Sequence, residues 1–227
     1  MLTTIVFDLD DTLYDEVEYC KSGLAAVAEF LADMPEWPSV DCIFRAFWEQ
    51  FAAGNRKTIF NTALDQTGIA YDNELVGELI RVYRNHTPKI TLPVESRNVL
   101  QQLSSKYTLA LLTDGFLPAQ QLKVKALGIE KYFKSIVYTE QLGREFWKPS
   151  PLGFEKLMEI LNARPETITY VADNEKKDFI APNKLGFLTI QIIRPDRIHT
   201  EPNNESDAAA KYVIHKIGEL PNLLDKL

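Results

Sequence analysis

Residues 3–14 read TTIVFDLDDTLY, an apolar, β-branched run that ends in three carboxylates, Asp8, Asp10 and Asp11. A short apolar run of this kind, bounded by polar residues, predicts a strand buried on both faces, as in a parallel sheet. In open α/β sheets ligands bind beyond the carboxyl ends of the strands, so the pattern puts Asp8 and Asp10 where chemistry is expected. A strand followed by a plain acidic turn is the simpler reading of these residues alone, because Asp is a common turn residue.

Beyond Tyr14 the apolar period becomes helical. Val17, Cys20, Leu24, Val27 or Ala28 and Leu31 predict a helix over about 16–32, ended by Pro35-Glu36-Trp37-Pro38 because proline cannot continue the hydrogen-bond ladder. Helical patterns follow over residues 40–51, about 56–66 and 73–83, and the block 15–92 shows no convincing strand. From Val94 helices (94–103, 119–126, 151–161, 177–184) alternate with strands (107–112, 135–138, 168–172, 188–193), before a short strand at 212–214 and a terminal helix. This alternation predicts an α/β fold with a doubly wound, mostly parallel, Rossmann-like sheet. Residues 1–14 and 93–227 form that core, and residues 15–92 are an all-helical domain inserted between its first and second strands. The polar stretch 196–207, with Pro202-Asn203-Asn204, reads as a surface loop.

A chain of 227 residues that is 45% hydrophobic can bury a core of this size. A net charge of -7 argues against a nucleic-acid polymer as partner. Cys20 and Cys42 read as small buried apolar residues in a reducing compartment. No window approaches the ~18 apolar residues of a membrane span, and no basic-then-apolar leader opens the chain. The expected setting is cytoplasmic, away from membranes.

Three further predicted strand ends are polar. Residues 107–112 run into Thr113-Asp114-Gly115, the loop after 135–138 carries Lys148-Pro149-Ser150-Pro151, and 168–172 run into Asp173 through Asp178. In a parallel sheet these ends share one edge, which predicts a cluster of Asp8, Asp10, Thr113, Lys148, Asp173 and Asp178. Two carboxylates ~4 Å apart repel by about 4 kcal/mol at an effective dielectric near 20, so the cluster calls for a cation or for protonation. Hard oxygen ligands favour Mg²⁺. Mg²⁺, an ammonium and a hydroxyl also suit phosphoryl transfer, in which a carboxylate can attack phosphorus to give an aspartyl-phosphate.

With these residues in place, the chain resembles the haloacid dehalogenase-like (HAD) hydrolase superfamily over essentially its whole length, specifically phosphatases with a helical cap after the first strand. Asp8-Leu9-Asp10-Asp11-Thr12 matches the DxDxT signature, Thr113 the second motif, Lys148 the third, and Asp173 with Asp178 the fourth. The resemblance implies Asp8 as nucleophile and Mg²⁺ ligand, and Asp10 as general acid and base whose main-chain carbonyl binds the metal. It also implies Thr113, Asp114 and Lys148 at the phosphate, Asp173 as a metal ligand and Asp178 as a more distant one. Dehalogenases of the superfamily lack the second Asp, so Asp10 implies phosphoryl chemistry on a small phosphorylated metabolite, a nucleoside monophosphate or sugar phosphate. Two positions depart from the family pattern: Ala172 stands where Gly is usual, and Asp114, beside the expected phosphate site, stands where Asn is frequent.

Plainer roles exist for several of these residues. Thr113 could cap the following helix, Lys148 alone would be a surface lysine, and His86, His199 and His215 lie outside the motifs and read as non-ligands. The aromatics Phe44, Phe47, Trp48, Phe51 and Phe60 read as packing of the helical domain. Competing functions are a phosphomutase, a phosphoacceptor signalling domain, whose acceptor Asp does not follow the first strand, and a non-catalytic phospho-ligand-binding protein.

Overall fold

In the computed structural model all residues are described except Pro35, Glu36, Ile69, Asn204 and Ser206. The opening apolar run forms β1 (Thr4–Phe7), buried at every position. The chain continues through α1 (Glu16–Ala32), α2 (Val40–Ala52), α3 (Ile59–Thr67), α4 (Asn73–Asn85) and α5 (Val94–Ser104). It then alternates through β2 (Thr108–Thr113), α6 (Ala119–Leu127), β3 (Ser135–Tyr138), α7 (Leu152–Leu161), β4 (Ile168–Ala172), α8 (Ile180–Leu185) and β5 (Leu188–Ile192). β6 (Tyr212–Ile214) and α9 (Leu220–Leu224) close it.

The strands make one sheet in the order β3-β2-β1-β4-β5-β6, parallel throughout. Strand order reverses between β1 and β4, and a crevice opens at such a switch point beyond the strand ends. One face carries a core of Val6, Ala110, Leu112, Tyr170 and Ala172 under Phe154 and Leu157 of α7. Burial on both faces explains why β1 and β4 are apolar without alternation.

The chain divides into two compact units, Met1–Val17 with Thr91–Leu227, and Glu18–Ile90. The second is all helical among its described residues. Ile43, Phe47 and Phe51 form the buried stripe of α2, and Phe47 meets Phe60 edge to face at 5.2 Å. Ser22 of α1 accepts from the Lys89 amide at 2.8 Å and lies 3.1 Å from His86 Nε2, which ties the first helix to the end of α4. A Cβ on Gly23 would sit 2.5 Å from the Tyr83 ring, so this close approach needs glycine.

Several details differ from the sequence expectation. α3 starts at Ile59, not near 56, because Asn55 Oδ1 accepts from the amides of Lys57 and Thr58, a local turn that competes with the helix. α8 starts at Ile180, not 177, since Asp178 closes a turn with Asn174: its amide donates to the Asn174 carbonyl and its Oδ2 accepts from the Asn174 amide, both at 2.9 Å. Thr113 is the last residue of β2, paired with Tyr138, and it caps nothing, because α6 begins only at Ala119. Cys20 is buried but Cys42 is exposed. Pro35 and Glu36, to which the sequence assigns the end of α1, lie outside the described residues.

Candidate active site

The sheet order places the polar strand ends side by side. The Asp8 amide donates to Val171 of β4 at 2.9 Å, so the chain leaves β1 still held against β4 and releases Asp8 at the switch point. Asp8, Asp10, Asp11, Glu16, Asp114, Asp173, Asn174, Lys177 and His199 line one small cavity of about 70 Å³. A larger hollow of about 680 Å³ in the helical unit, beside Asn61, Asp65 and Tyr71, holds none of the strand-end groups. Volume alone therefore does not mark the site.

Lys148 reaches in from the loop between β3 and α7. Its Nζ lies 2.6 Å from Asp8 Oδ1 and 2.6 Å from Asp178 Oδ1, and it donates to the Tyr170 hydroxyl at 3.1 Å. Burial disfavours the ammonium, but the carboxylates of Asp178 and Asp8 hold its pKa well above the ordinary lysine value. Burial also dominates Asp8: even with Lys148 pulling the other way, its pKa is pushed up to about 7.

Asp173 is the poorly satisfied member. Its carboxyl is pushed well above the ordinary range by burial and then by the charges of Asp178 and Asp8. Its Oδ2 is buried with no hydrogen-bond partner. Asp8, Asp173 and Asp178 each offer an oxygen within 4.8 Å of the others. An orphaned carboxylate oxygen among hard donors suits a divalent cation such as Mg²⁺. Both Asp178 oxygens already have protein partners, Lys148 on one and the Asn174 amide on the other.

Asp10 stands in a second set of contacts. Lys123 Nζ approaches its two oxygens at 2.8 and 2.9 Å, Gln120 donates at 2.9 Å, and the Tyr14 hydroxyl donates at 2.5 Å. Burial alone would raise its pKa, but the Lys123 charge and these hydrogen bonds bring it below the ordinary carboxylate value. Asp11 is a turn residue at φ 51°. Its oxygens accept from the Glu16 and Ile198 amides, at 2.8 and 2.6 Å.

Asp114 has partners other than an open anion site: Thr139 Oγ1 at 2.8 Å and the Lys148 amide at 3.3 Å on Oδ1, and Lys177 Nζ at 3.1 Å on Oδ2. Lys177 thus offsets the charge that the sequence left unmatched at this position.

Asp8, Lys148, Asp173 and Asp178 converge as their strand ends suggest. Thr113 and Asp10 are joined through Gln120, whose Nε2 also donates to Thr113 Oγ1 at 2.6 Å. Sequence reasoning missed Gln120, Lys123, Tyr170 and Lys177, and left His199 aside although it lines the cavity. The available signal was slight: Gln120 and Lys123 stand three apart just after the Thr113 loop, and Lys177 precedes Asp178.

Among known proteins, the chain is 27% identical to the glyceraldehyde 3-phosphate phosphatase of Methanopyrus kandleri over 91% of both chains. It is 23% identical to the ribulose-1,5-bisphosphate 5-phosphatase of Halopiger xanaduensis over 99% of this chain and all of that one. The fold matches that of the HAD-hydrolase YfnB from Bacillus subtilis bound to magnesium, with a TM-score of 0.70 and 22% identity over 99% of each chain. The sequence profile described as haloacid dehalogenase-like hydrolase matches residues 2–186, and the chain belongs to that family.

Proposed function

We propose that this protein is a Mg²⁺-dependent phosphatase that hydrolyses a small phosphorylated metabolite, a sugar phosphate or nucleoside monophosphate, through an aspartyl-phosphate on Asp8. The observation that carries the reading is the buried contact of Lys148 with Asp8 at 2.6 Å, on a cavity that Asp10 also lines. Relatives named as phosphatases of glyceraldehyde 3-phosphate and ribulose bisphosphate support the same chemistry.

The Asp8 carboxylate attacks phosphorus while the bond to the leaving oxygen breaks, and Asp10, held ionised by Lys123 in the unliganded protein and driven toward its protonated form by the negative charge of a bound phosphate ester, supplies the proton that this oxygen takes up. Asp10 then removes a proton from a water that attacks phosphorus, which releases phosphate and frees Asp8. A well-placed acid and base of this kind contributes roughly 10²–10⁴-fold. Lys148 offsets the charge on Asp8 and the phosphoryl group, and the Thr113 hydroxyl binds a phosphoryl oxygen. Asp114 serves the phosphate site indirectly, by holding the Lys148 main chain and the Lys177 ammonium. Asp8, the Asp10 carbonyl and Asp173, with Asp178 behind them, are the groups that would hold Mg²⁺. When bound, the ion supplies positive charge against the gathered carboxylates and the phosphoryl oxygens. Residues 15–92 act as the cap and supply substrate selectivity.

Hydrolysis of p-nitrophenyl phosphate tests the reading. Activity that needs Mg²⁺ and disappears in Asp8→Asn is expected; equal rates with and without the ion and in the variant overturn it.

A further inference from the structure

Besides the Tyr14 hydroxyl, the contacts on Asp10 come from a helix face that the strand-end logic does not include. Gln120 and Lys123 stand three apart on α6 and so share one side of it. Both are almost fully buried, at 2% and 3% exposure. Their polar heads converge on one carboxylate: Lys123 Nζ on both oxygens of Asp10, and Gln120 Nε2 on Asp10 Oδ2 and Thr113 Oγ1 together. Lys123 also faces Glu16, at 3.7 Å. Taking an ammonium and an amide out of water is unfavourable unless both are well partnered, and an apolar pair on this face would pack without that penalty. The loop before α6 is shaped around the same group. Gly115 sits at φ +143°, and a Cβ there would come within 2.7 Å of Gln120 Cδ.

We propose that the Gln120–Lys123 face of α6 aims the Asp10 carboxylate and couples it to Thr113, so that both are positioning residues for proton delivery to the leaving group. The inference rests on the phosphatase reading above. As the bond between phosphorus and the leaving oxygen breaks, its electron pair goes to that oxygen and the proton comes from Asp10. Aim matters most when the leaving oxygen is strongly basic. Phenolate is far more basic than p-nitrophenolate, which departs readily without a proton. Loss of aim should therefore penalise phenyl phosphate selectively, whereas a merely structural defect would lower both esters alike.

The experiment compares kcat/KM for phenyl phosphate and p-nitrophenyl phosphate with Mg²⁺ in the full-length protein and in Lys123→Met, Gln120→Leu and Lys123→Arg. The ratio is taken within one preparation, so a partly unfolded sample cancels. Lys123→Met and Gln120→Leu are expected to lower the phenyl phosphate value by about 10²-fold, and the p-nitrophenyl phosphate value by less than about tenfold. Lys123→Arg, which keeps a cation at the site, is expected to retain the wild-type ratio. A wild-type ratio in Gln120→Leu, or an equal fall in both esters, overturns the inference even if Lys123→Met is inactive. Wild-type protein that hydrolyses neither ester overturns the phosphatase reading and this inference with it, whereas an unchanged ratio in active variants overturns the inference alone.

Discussion

Lys148 Nζ and Asp178 Oδ1 meet at 2.6 Å where the two side chains are 1% and 0% exposed. Removing Asp178 leaves the Lys148 ammonium with Asp8 as its nearest remaining carboxylate and the Asn174 amide without its acceptor, and breaking a buried pair typically destabilises by about 3–5 kcal/mol. Asp178→Ala should lower the melting temperature by about 6–20 °C for a chain of this size. Asp178→Asn, which keeps an oxygen for the Asn174 amide, should lower it less. Thermal denaturation followed by circular dichroism checks the order; equal melting of Asp178→Ala and wild type would contradict it.

Asp173 bears a buried oxygen without a partner. In the metal-free protein Asp173→Asn should raise the melting temperature, because it removes a charge that burial and its neighbours disfavour. Wild-type protein should gain stability with Mg²⁺, by about 2.7 kcal/mol at a hundred times Kd. The variant should lose that gain. Melting with EDTA and with Mg²⁺ separates these effects, and a full Mg²⁺ response in Asp173→Asn would remove Asp173 from the ligand set.

Stability of the metal-free protein should fall as pH rises. Burial pushes Asp8 up to about 7 against the pull of Lys148. It also raises Asp11 to about 6, and Glu16 to about 8 with the Asp10 charge adding to it. Each binds its proton more tightly folded than unfolded, so its stability contribution is complete below the ordinary carboxylate pKa and is lost as pH passes through the raised value. Asp10 and Asp114 are lowered and act in the opposite sense, losing their contribution only below the ordinary range. Urea midpoints measured in EDTA should drop between pH about 4 and about 8, and Mg²⁺, which favours the ionised carboxylates, should reduce the drop. A midpoint that climbs over this window in EDTA would be the contrary result.

The contact of Asp114 with Lys177 at 3.1 Å predicts energetic coupling between positions distant in sequence. Asp114→Asn and Lys177→Met should each destabilise, and the double variant should fall short of their sum by about 0.5–3 kcal/mol. A double-mutant cycle by urea denaturation measures it; strict additivity would mean that the pair contributes nothing.

The strand ends and the four motifs were legible because a parallel sheet brings the ends of its strands to one edge whatever its loops do. Asp8, Lys148 and Asp173 could be read off in that way. The turn at Asp178 was less legible: helical periodicity extends back to Lys177, but a buried carboxylate holding the Asn174 amide delays the helix to Ile180. Cys42 shows the same limit, since residue type predicts burial only on average and this cysteine lies on the open side of α2.

The sequence by itself determined the strands, the sheet class and the chemistry expected at its edge, because apolar period and polar strand ends are local patterns that survive without coordinates. Only the tertiary structure decided which charges meet. Lys123 contacts Asp10 across 113 positions, Lys177 contacts Asp114 across 63, and the Tyr170 hydroxyl joins Lys148 from within a strand that reads as plain core. Such pairs depend on how each helix and loop is set against the sheet, which periodicity does not encode. Burial then sets the energy of each meeting by removing the water that would otherwise screen it.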